Sequence, residues 1–472
     1  MPFVIDRTSA VPLHRQIYEA WRQSILAGRL RGGDRIPSTR ELAAALAVSR
    51  VTVTAAHDQL IGEGYFEPVR GAGTFVAPEL PDQRCAGPRG RAPAAAAGTV
   101  RLSTYARRLE ARTPRAPVAP GVVDLATAGP DPGHFPFALW RRLLSRHLRA
   151  LPARVWHPVD SPGGYPGLRT EIAAYVTRSR AVACDPEQVI IVNGSQQALD
   201  LCMRILVDPG DSLALEDPGY PGTRHLASAH GVQIRPVRPD HDGLRVSDLP
   251  ADCRLVYVTP SHQFPTGVSM SLRRRLDLLE WARVRGAVIV EDDYDSEYRY
   301  SGPPLPALQG LTGAVPVVYI GTFSNVMFPG LRIGFVVVPR DLIVPFTRAK
   351  SIADRYTPTL EQAALAEFIH DGHLERHIRR MRRLYQRRRE ALIDALDRHF
   401  GGNAIVRGDA AGMHTLVRFA ARDIAARAER QRVRLHSADA YYLSGRSPNE
   451  FIVGFSAIDE RTLIAGIRRL AR

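Results

Sequence analysis

The sequence predicts an α/β protein in two folded parts: a small helix-and-hairpin domain at residues 1–77 and a larger domain at residues 119–472. Three observations lead to this fold class. The first part combines apolar residues at helical spacing with a glycine-rich hairpin pattern. Residues 78–118, rich in proline, alanine and arginine, have too few large apolar side chains to form a core and are predicted to be a flexible linker. Beyond them, short apolar runs alternate with amphipathic helical stretches, which favours a mostly parallel sheet covered by helices.

The composition is that of an ordinary globular protein of two or three domains. Of the 472 residues, 45% are hydrophobic and 24% are charged. No apolar run reaches the roughly 18 residues that a membrane span needs, and the first residues lack a signal-peptide pattern. The four cysteines are scattered without metal-ligand spacing, so we expect reduced thiols, a cytoplasmic location and no metal site.

The formal net charge of +15 suggests a polyanionic partner such as DNA. All but one of the 63 basic residues are arginine, which suits bidentate contacts to phosphate and guanine. A genome rich in G and C would explain the arginine excess equally well. Whether the partner is a polyanion such as DNA must therefore be judged from where the charges lie in the sequence.

Two helices and the start of a third are predicted in the first domain. Residues 12–26 have apolar side chains at helical spacing and end at Ala27-Gly28. Ser38 is a good N-cap for a second helix, and Glu41 three residues later completes a capping box. A third helix begins after Ser49.

This third helix and the following hairpin have the features of a DNA-reading surface. Arg50, Thr52 and Thr54 place polar groups near the amino-terminal end of the helix, which suits insertion into the major groove. Gly71 and Gly73 in the hairpin turn would let the backbone approach a phosphate closely. The alternative is a small three-helix domain with an ordinary solvated face.

Four segments together resemble the winged helix–turn–helix of GntR-type transcription regulators. They read Pro-Ser-Thr-Arg-Glu-Leu-Ala, Val-Ser-Arg-Val-Thr-Val, Glu-Gly-Tyr-Phe and Gly-Ala-Gly-Thr-Phe-Val. The resemblance implies binding to double-stranded operator DNA. The residues it places at DNA are Arg35, Ser38, Arg40, Ser49, Arg50, Thr52, Thr54, Gly71 and Gly73. Thr54 stands where relatives often carry arginine, so we expect an unusual recognition sequence.

A candidate phosphate site follows the predicted strand Val189–Val192. Asn193-Gly194-Ser195-Gln196 leads from that strand into a helix, whose first N–H groups and dipole would favour a phosphate dianion. The alternative is a plain strand-to-helix turn.

Residues 321–332 carry the most informative position, Asn325. They read Gly-Thr-Phe-Ser-Asn-Val-Met-Phe-Pro-Gly-Leu-Arg between apolar runs at 315–320 and 333–339. The segment closely resembles the strand–loop–strand stretch that carries pyridoxal 5′-phosphate in fold-type I aminotransferases, in which a lysine fills the place of Asn325 and forms the internal aldimine. A carboxamide has no nucleophilic amine, so that bond cannot form here.

Residues 119–472 as a whole resemble the aminotransferase-like domain of MocR regulators, which fuse it to a GntR-type module. The resemblance implies a fold-type I α/β domain, a smaller C-terminal α+β subdomain and a head-to-tail homodimer. It assigns phosphate binding to residues 194–196, ring stacking to Tyr220 and a pyridine-nitrogen contact to Asp292. Gln263 and Tyr294 are the implied partners of the oxygen on the ring. The complete set of implied cofactor contacts is Gly194, Ser195, Gln196, Tyr220, Gln263, Asp292, Tyr294, Thr322, Ser324, Asn325 and Arg332.

Two departures disfavour transaminase activity. One is Asn325; the other is the apolar segment Phe451–Phe455, where amino-acid aminotransferases typically have an arginine for the substrate carboxylate. Lys350, the only lysine, is not at the motif position. We therefore predict a regulator without catalytic residues that senses a small-molecule effector, such as pyridoxal phosphate, a related vitamer or an amino-acid-like compound.

Four alternatives are less favoured. The chain could be an active aminotransferase with an accessory DNA-binding domain, or a DNA-binding protein that takes no ligand. His262 could be mistaken for a catalytic base, although a structural role is favoured. The arginine-rich stretch Arg376–Arg389 is predicted to be a helix with a solvated face, with a second DNA-contact surface as the lesser possibility.

Overall fold

The computed structural model describes residues 5–80, 100–109, 117–150, 152, 162–302, 305–311, 313, 315–408, 410–443 and 449–472. The chain divides into two compact units, Met1–Arg101 and Leu102–Arg472. Most of the predicted linker, at residues 81–99 and 110–116, lies outside the described residues.

The first unit is built from three helices and a three-stranded antiparallel sheet in the order β1-β3-β2. Its elements are α1 (Leu13–Leu26), β1 (Arg35–Ile36), α2 (Thr39–Leu46), α3 (Arg50–Gly62), β2 (Phe66–Val69) and β3 (Gly73–Val76). Strands β2 and β3 form the predicted hairpin. The predicted helices and hairpin are confirmed in type and position.

An apolar core holds these elements together. Ile17, Leu42, Val53 and Leu60 are fully buried in it. The ring of Phe66 on β2 packs edge-on against Trp21 of α1, with 5.8 Å between ring centroids. Each helix thus buries its apolar face and exposes its polar face to solvent.

The second unit begins with a short helix inside the predicted linker. Its α-helices are α4 (Thr104–Arg108), α5 (Phe137–Ala150), α6 (Pro166–Arg180), α7 (Ser195–Leu206), α8 (Pro221–His230), α9 (Leu272–Arg285), α10 (Leu308–Leu311), α11 (Ile343–Asp354), α12 (Thr359–His370), α13 (His373–Phe400), α14 (Ile424–Arg430) and α15 (Glu460–Leu470). Tyr105 on α4 meets His230 of α8 edge-on at 5.3 Å. This part of the linker region is therefore helical and packed rather than extended.

The strands of the second unit alternate with its helices. They are β4 (Val123–Asp124), β5 (Val189–Val192), β6 (Ser212–Glu216), β7 (Gln233–Val237), β8 (Pro239–Asp240), β9 (Gly243–Leu244), β10 (Cys253–Val258), β11 (Val288–Asp293), β12 (Val317–Thr322), β13 (Gly334–Val337), β14 (Ala404–Arg407), β15 (His414–Phe419), β16 (Val433–Arg434), β17 (His436–Ser437) and β18 (Glu450–Gly454).

Seven strands form the central sheet, in the order β5-β13-β12-β11-β10-β6-β7. Only β13 runs antiparallel to its neighbours β12 and β5; the other pairs are parallel. The carboxyl ends of the parallel strands consequently share one edge of the sheet. The polar segments that follow β5, β6, β10, β11 and β12 are brought together there, as expected for an open α/β sheet.

A smaller subdomain completes the second unit. Strands β14, β15, β18 and β17 form an antiparallel sheet in that order, and α13 packs against α15 beside it. The α/β fold with a smaller α+β subdomain is thus confirmed. Among the helices that the structure describes, none is long and apolar enough to cross a bilayer.

Candidate functional site

A cavity of about 240 Å³ opens at the carboxyl ends of β6, β10, β11 and β12. Its lining residues are Ala128, Ser195, Tyr220, Tyr257, Thr259, Phe264, Asp292, Tyr294, Asp295, Thr322, Ser324, Asn325, Arg332, Met413 and His414. Eight of the eleven residues predicted to contact a cofactor are in this set. The three others, Gly194, Gln196 and Gln263, are not lining residues.

Gly194 and Gln196 support the lining without belonging to it. Gly194 is the N-cap of α7 with φ +84°, and a Cβ atom there would lie 2.8 Å from the Arg332 guanidinium. Gln196 Oε1 accepts a hydrogen bond of 3.4 Å from the Tyr220 hydroxyl. Both residues therefore shape the phosphate end of the cavity indirectly.

The side chain of Gln263 is engaged by its own loop and by the loop after β6 rather than by the cavity. Its Nε2 donates to the carbonyl oxygens of Pro218 at 2.8 Å and Phe264 at 2.7 Å. Its Oε1 accepts from the backbone N–H of Thr266 at 3.1 Å and from its hydroxyl at 2.5 Å. The predicted contact with a ring oxygen differs from this arrangement, because all hydrogen-bonding groups of the amide already have partners.

Asp292 places a buried carboxylate against the cavity. Its Oδ2 accepts a 2.8 Å hydrogen bond from the Tyr257 hydroxyl, whereas its buried Oδ1 has no partner among the described residues. Burial raises the pKa of Asp292 from 3.8 to about 7. An acceptor with one free oxygen in a low-dielectric site suits a cationic N–H group, such as a protonated ring nitrogen.

Asn325 lies in the loop after β12 with its amide orientation fixed. Its Nδ2 donates to the carbonyl oxygen of Tyr294 at 2.8 Å. Because a carbonyl oxygen only accepts, the nitrogen of the amide must face it. The Asn325 carbonyl oxygen Oδ1 receives no hydrogen bond from the described residues.

A buried polar cluster holds Tyr294. Nδ1 of His262 lies 2.9 Å from the Tyr294 hydroxyl and 3.1 Å from both carboxylate oxygens of Asp295. Burial alone would lower the pKa of His262, but the Asp295 carboxylate raises it. His262 is not a lining residue, and its contacts fit the predicted structural role. The structure adds that this role includes holding the Tyr294 hydroxyl.

His414 brings a second imidazole to the cavity. Burial, followed by the nearby His262, lowers the pKa of His414 to about 3. It is therefore neutral at physiological pH. Sequence reasoning missed it, because a lone histidine at the start of a strand carries no distinguishing signal.

The opposite end of the cavity is suited to a phosphate. Ser195 begins α7, where the first backbone N–H groups have no partner within the helix. The Ser324 backbone N–H donates to Thr322 Oγ1 at 3.2 Å, and the buried Ser324 hydroxyl has no partner among the described residues. Arg332 donates to the carbonyl oxygen of Asn193 at 2.6 Å. Ser195, Thr322, Ser324 and Arg332 thus all contribute to the lining of one cavity.

The residues present fit a phosphorylated pyridine. Three lining residues have a buried polar atom without a partner among the described residues, namely Asp292 Oδ1, His414 Nε2 and the Ser324 hydroxyl. A ring nitrogen and a phosphate would satisfy Asp292 Oδ1 and the Ser324 hydroxyl. An unsatisfied buried polar group costs about 1–3 kcal/mol, so their retention at both ends of one cavity favours a ligand that pairs with both.

Lys350, the only lysine, forms an ion pair outside the cavity. It lies in α11 and is 1% exposed, and its Nζ is 2.5 Å from Asp354 Oδ1. Asp354 Oδ2 also accepts from Asn193 at 2.6 Å and Gln197 at 2.7 Å. Lys350 is absent from the cavity lining and instead anchors the carboxylate that holds the start of α7. Sequence reasoning missed Asp354, although the i,i+4 spacing to Lys350 signalled the pair.

In the first unit, two of the predicted DNA-contact serines are helix caps. Ser38 Oγ accepts from the Glu41 N–H at 3.2 Å, and Glu41 returns a hydrogen bond to the Ser38 N–H, which completes the predicted capping box. Ser49 Oγ accepts from the Thr52 N–H at 3.2 Å and lies 2.7 Å from the Thr52 hydroxyl. The start of α3 is thereby capped.

The exposed end of α3 presents a mixed polar and apolar surface. Arg40 and Arg50 are both exposed, and Arg50 Nε lies 3.3 Å from Thr39 Oγ1. Thr54 is half-buried. Val51, which follows Arg50 on α3 and which sequence reasoning missed, is 78% exposed and adds an apolar side chain to this surface.

The hairpin turn carries two glycines in the left-handed region. Gly71 has φ +79° and Gly73 φ +119°. The Arg35 side chain lies beside Gly73, since a Cβ atom there would be 3.4 Å from Arg35 Nε. Arg35 and the turn therefore form one exposed basic edge.

Each of the two units matches a known protein family. Residues 13–76 match the family of bacterial regulatory proteins, gntR family, and residues 126–455 match aminotransferase class I and II. The probable rhizopine catabolism regulatory protein MocR of Rhizobium meliloti is 41% identical over 99% of this chain and 94% of that protein. The HTH-type pyridoxine biosynthesis transcriptional regulator PdxR of Corynebacterium glutamicum is 31% identical over 98% of this chain and 96% of that protein.

A solved structure shows the same fold in an enzyme. LysN, the α-aminoadipate aminotransferase of Thermus thermophilus complexed with N-(5′-phosphopyridoxyl)-L-leucine, aligns with a TM-score of 0.71 and 30% identity. The alignment covers 79% of this chain and 96% of that one. Both the GntR-family module and the aminotransferase fold are thereby established, and this fold implies an association with pyridoxal phosphate. This chain belongs to the MocR-type transcription regulators, which join a GntR-family winged helix–turn–helix to an aminotransferase class I and II domain.

Proposed function

We propose that this transcription regulator senses a phosphorylated pyridine, which its aminotransferase-like domain holds without a covalent bond and without catalysing amino transfer. The observation that carries the proposal is Asn325. Its amide stands in the cavity where a covalent anchor would need an amine, while Asp292 and Ser324 keep free groups for a ligand.

The proposed contacts divide along the ligand. Ser195, Thr322, Ser324 and Arg332 would bind the phosphate, the last through a bidentate guanidinium contact. The remaining contacts would involve the ring: stacking on Tyr220, Asp292 at the ring nitrogen and Tyr294 at the ring oxygen. Because the side chains are held by neighbours before any ligand binds, little ordering would be needed.

The proposed loss of catalysis has a chemical reason. Pyridoxal phosphate, when bound, supplies an electron sink for amino-acid chemistry, but the protein must supply the proton transfer. The Asn325 amide does not titrate near neutrality, and a positioned acid–base group typically contributes about 10²–10⁴-fold. Arg332, which is assigned to the phosphate, is the only arginine among the described lining residues. No second arginine is therefore present among them to bind a substrate carboxylate.

The regulatory output would be a change in DNA binding. We propose a cytoplasmic head-to-tail homodimer in which residues 78–118 link the DNA-reading domain, residues 1–77, to the effector domain, residues 119–472. An effector can shift such a protein only if it binds one arrangement more tightly than the other. The pyridoxine-related name of the Corynebacterium glutamicum relative supports this class of effector.

The experiment uses the full chain and measures melting temperature against ligand concentration, then DNA affinity with and without ligand. A binding-competent pocket predicts a rise of the melting temperature with ligand concentration, since a ligand at 100 times its Kd stabilises by about 2.7 kcal/mol. Ser324→Ala should weaken this response without changing the fold.

Two outcomes would oppose the proposal. No stabilisation by any phosphorylated pyridine would favour a DNA-binding protein that takes no ligand. Turnover of an amino donor by the purified chain would favour the alternative, an active aminotransferase with an accessory DNA-binding domain.

A further inference from the structure

We propose that Asn325 makes the pocket selective for the amine form of the ligand, pyridoxamine 5′-phosphate, over the aldehyde form, pyridoxal 5′-phosphate. This inference rests on the proposed function, because it requires that the pocket binds a phosphorylated pyridine at all.

The first argument is the orientation of the Asn325 amide. Its nitrogen faces the Tyr294 carbonyl oxygen at 2.8 Å, and turning the amide over would bring two acceptors together. The Asn325 oxygen is therefore the atom left for a ligand. Lysine offers a nucleophilic amine at this position, whereas asparagine here offers only a hydrogen-bond acceptor.

The second argument is the distribution of charge around the cavity. The acidic lining residues are Asp292 and Asp295, and the one cationic arginine that the structure describes in the lining is Arg332, beside Gly194 at the phosphate end. His414 at the far side is neutral, with a pKa of about 3. Asp292 is assigned to the ring nitrogen, and both Asp295 oxygens lie 3.1 Å from His262 Nδ1. No lining residue that the structure describes therefore places a positive charge beside the substituent that faces Asn325, so a cationic substituent meets no like charge from the lining.

The three vitamer phosphates differ at the substituent that would face Asn325. An aminomethyl group is a cationic donor and would make a charge-assisted hydrogen bond to the amide oxygen. The hydroxymethyl group of pyridoxine 5′-phosphate is a neutral donor. The aldehyde oxygen is only an acceptor and would oppose another acceptor. The expected order of affinity is amine, then alcohol, then aldehyde.

The same reasoning disfavours ligands that carry a free carboxylate at this end. An amino acid joined to the pyridoxyl group would bring a carboxylate toward Asp295, Met413 and His414, none of which supplies a positive charge. The regulator would therefore respond to free pyridoxamine 5′-phosphate rather than to a particular amino acid.

The test is isothermal titration of the full chain with pyridoxamine, pyridoxine and pyridoxal 5′-phosphates and with inorganic phosphate. We expect the amine form to bind at least about tenfold more tightly than the aldehyde form, because a hydrogen bond to a charged group is worth more than a neutral one. Asn325→Leu and Asn325→Ala should reduce this ratio to near one. Ser324→Ala is the matched control, since it should weaken all three vitamers alike and preserve their ratio.

The outcomes separate the two claims. If no vitamer phosphate binds, the proposed function itself fails. If the vitamers bind but the aldehyde form is as tight as the amine form, the selectivity is wrong and the proposed function stands. A ratio that survives both Asn325 variants would also overturn the role of this residue. Should either variant fail to fold, the ratio in the parent chain still decides.

Discussion

Replacing Asp292 by asparagine should stabilise the ligand-free effector domain above neutral pH and remove its response to ligand. Burial raises the pKa of this carboxyl from 3.8 to about 7 in the folded protein. Its ionisation therefore destabilises the fold progressively as the pH rises from 3.8, and the loss is complete above pH 7. The difference of about 3 pKa units corresponds to about 4 kcal/mol as an upper limit.

The net gain in the variant is smaller than this limit. The oxygen of the introduced amide can still accept from the Tyr257 hydroxyl, but the amide nitrogen would take the place of the Asp292 oxygen that now has no partner. An unsatisfied buried donor costs about 1–3 kcal/mol, which leaves a net stabilisation of about 1–3 kcal/mol at pH 8. For a unit of this size that is about 1–4 °C in melting temperature.

Thermal melts of the parent and the Asp292→Asn variant at pH 5, 6, 7 and 8 measure this difference, and the shared groups cancel in the comparison. The advantage of the variant should grow with pH and shrink toward pH 4. Pyridoxamine phosphate should raise the melting temperature of the parent only. A variant that melts below the parent at pH 8, or keeps the full ligand response, would refute the assignment of Asp292 as a buried ligand-pairing carboxylate.

Three further predictions concern other parts of the molecule. Ser38→Ala should destabilise the DNA-reading unit by about 1 kcal/mol through loss of the α2 capping box, and thermal unfolding should show no shift in the effector unit. Arg50→Ala should weaken operator binding and, if the guanidinium contacts a phosphate, reduce the salt slope of binding by about 1 in gel-shift titrations; an unchanged affinity would remove Arg50 from the DNA surface. Asp354→Ala should lower vitamer affinity several-fold, because Asn193 and Gln197 at the start of α7 lose a shared acceptor. Equal affinities by titration calorimetry would show that the phosphate end does not depend on this carboxylate.

Much of the fold could be predicted because burial leaves a direct trace in sequence. The predicted strand at 189–192 matches β5 residue for residue, since all four side chains are apolar and buried. The capping box at Ser38 and Glu41 could also be predicted, because it depends only on two residues that are three positions apart in the sequence. Most of the candidate pocket could be predicted from motifs at strand ends, because parallel strands place their carboxyl ends at one edge of the sheet.

What could not be predicted depends on contacts distant in sequence. Gln263 lies in the expected loop, yet its amide is directed to Pro218 and Thr266, a choice set by packing of two loops. Tyr257 sits inside an apolar strand, so nothing in its neighbourhood marked it as the partner of Asp292. The short helix α4 was hidden in a segment whose composition resembles a linker throughout.

Borohydride reduction after incubation with pyridoxal phosphate, followed by intact mass and peptide mapping, tests most directly whether the pocket holds its ligand without a covalent bond. The parent chain should gain no pyridoxyl group within residues 119–472, while Asn325→Lys should gain one at position 325. A pyridoxyl group trapped on the parent chain at Lys350, or on any side chain of the cavity, would contradict the account.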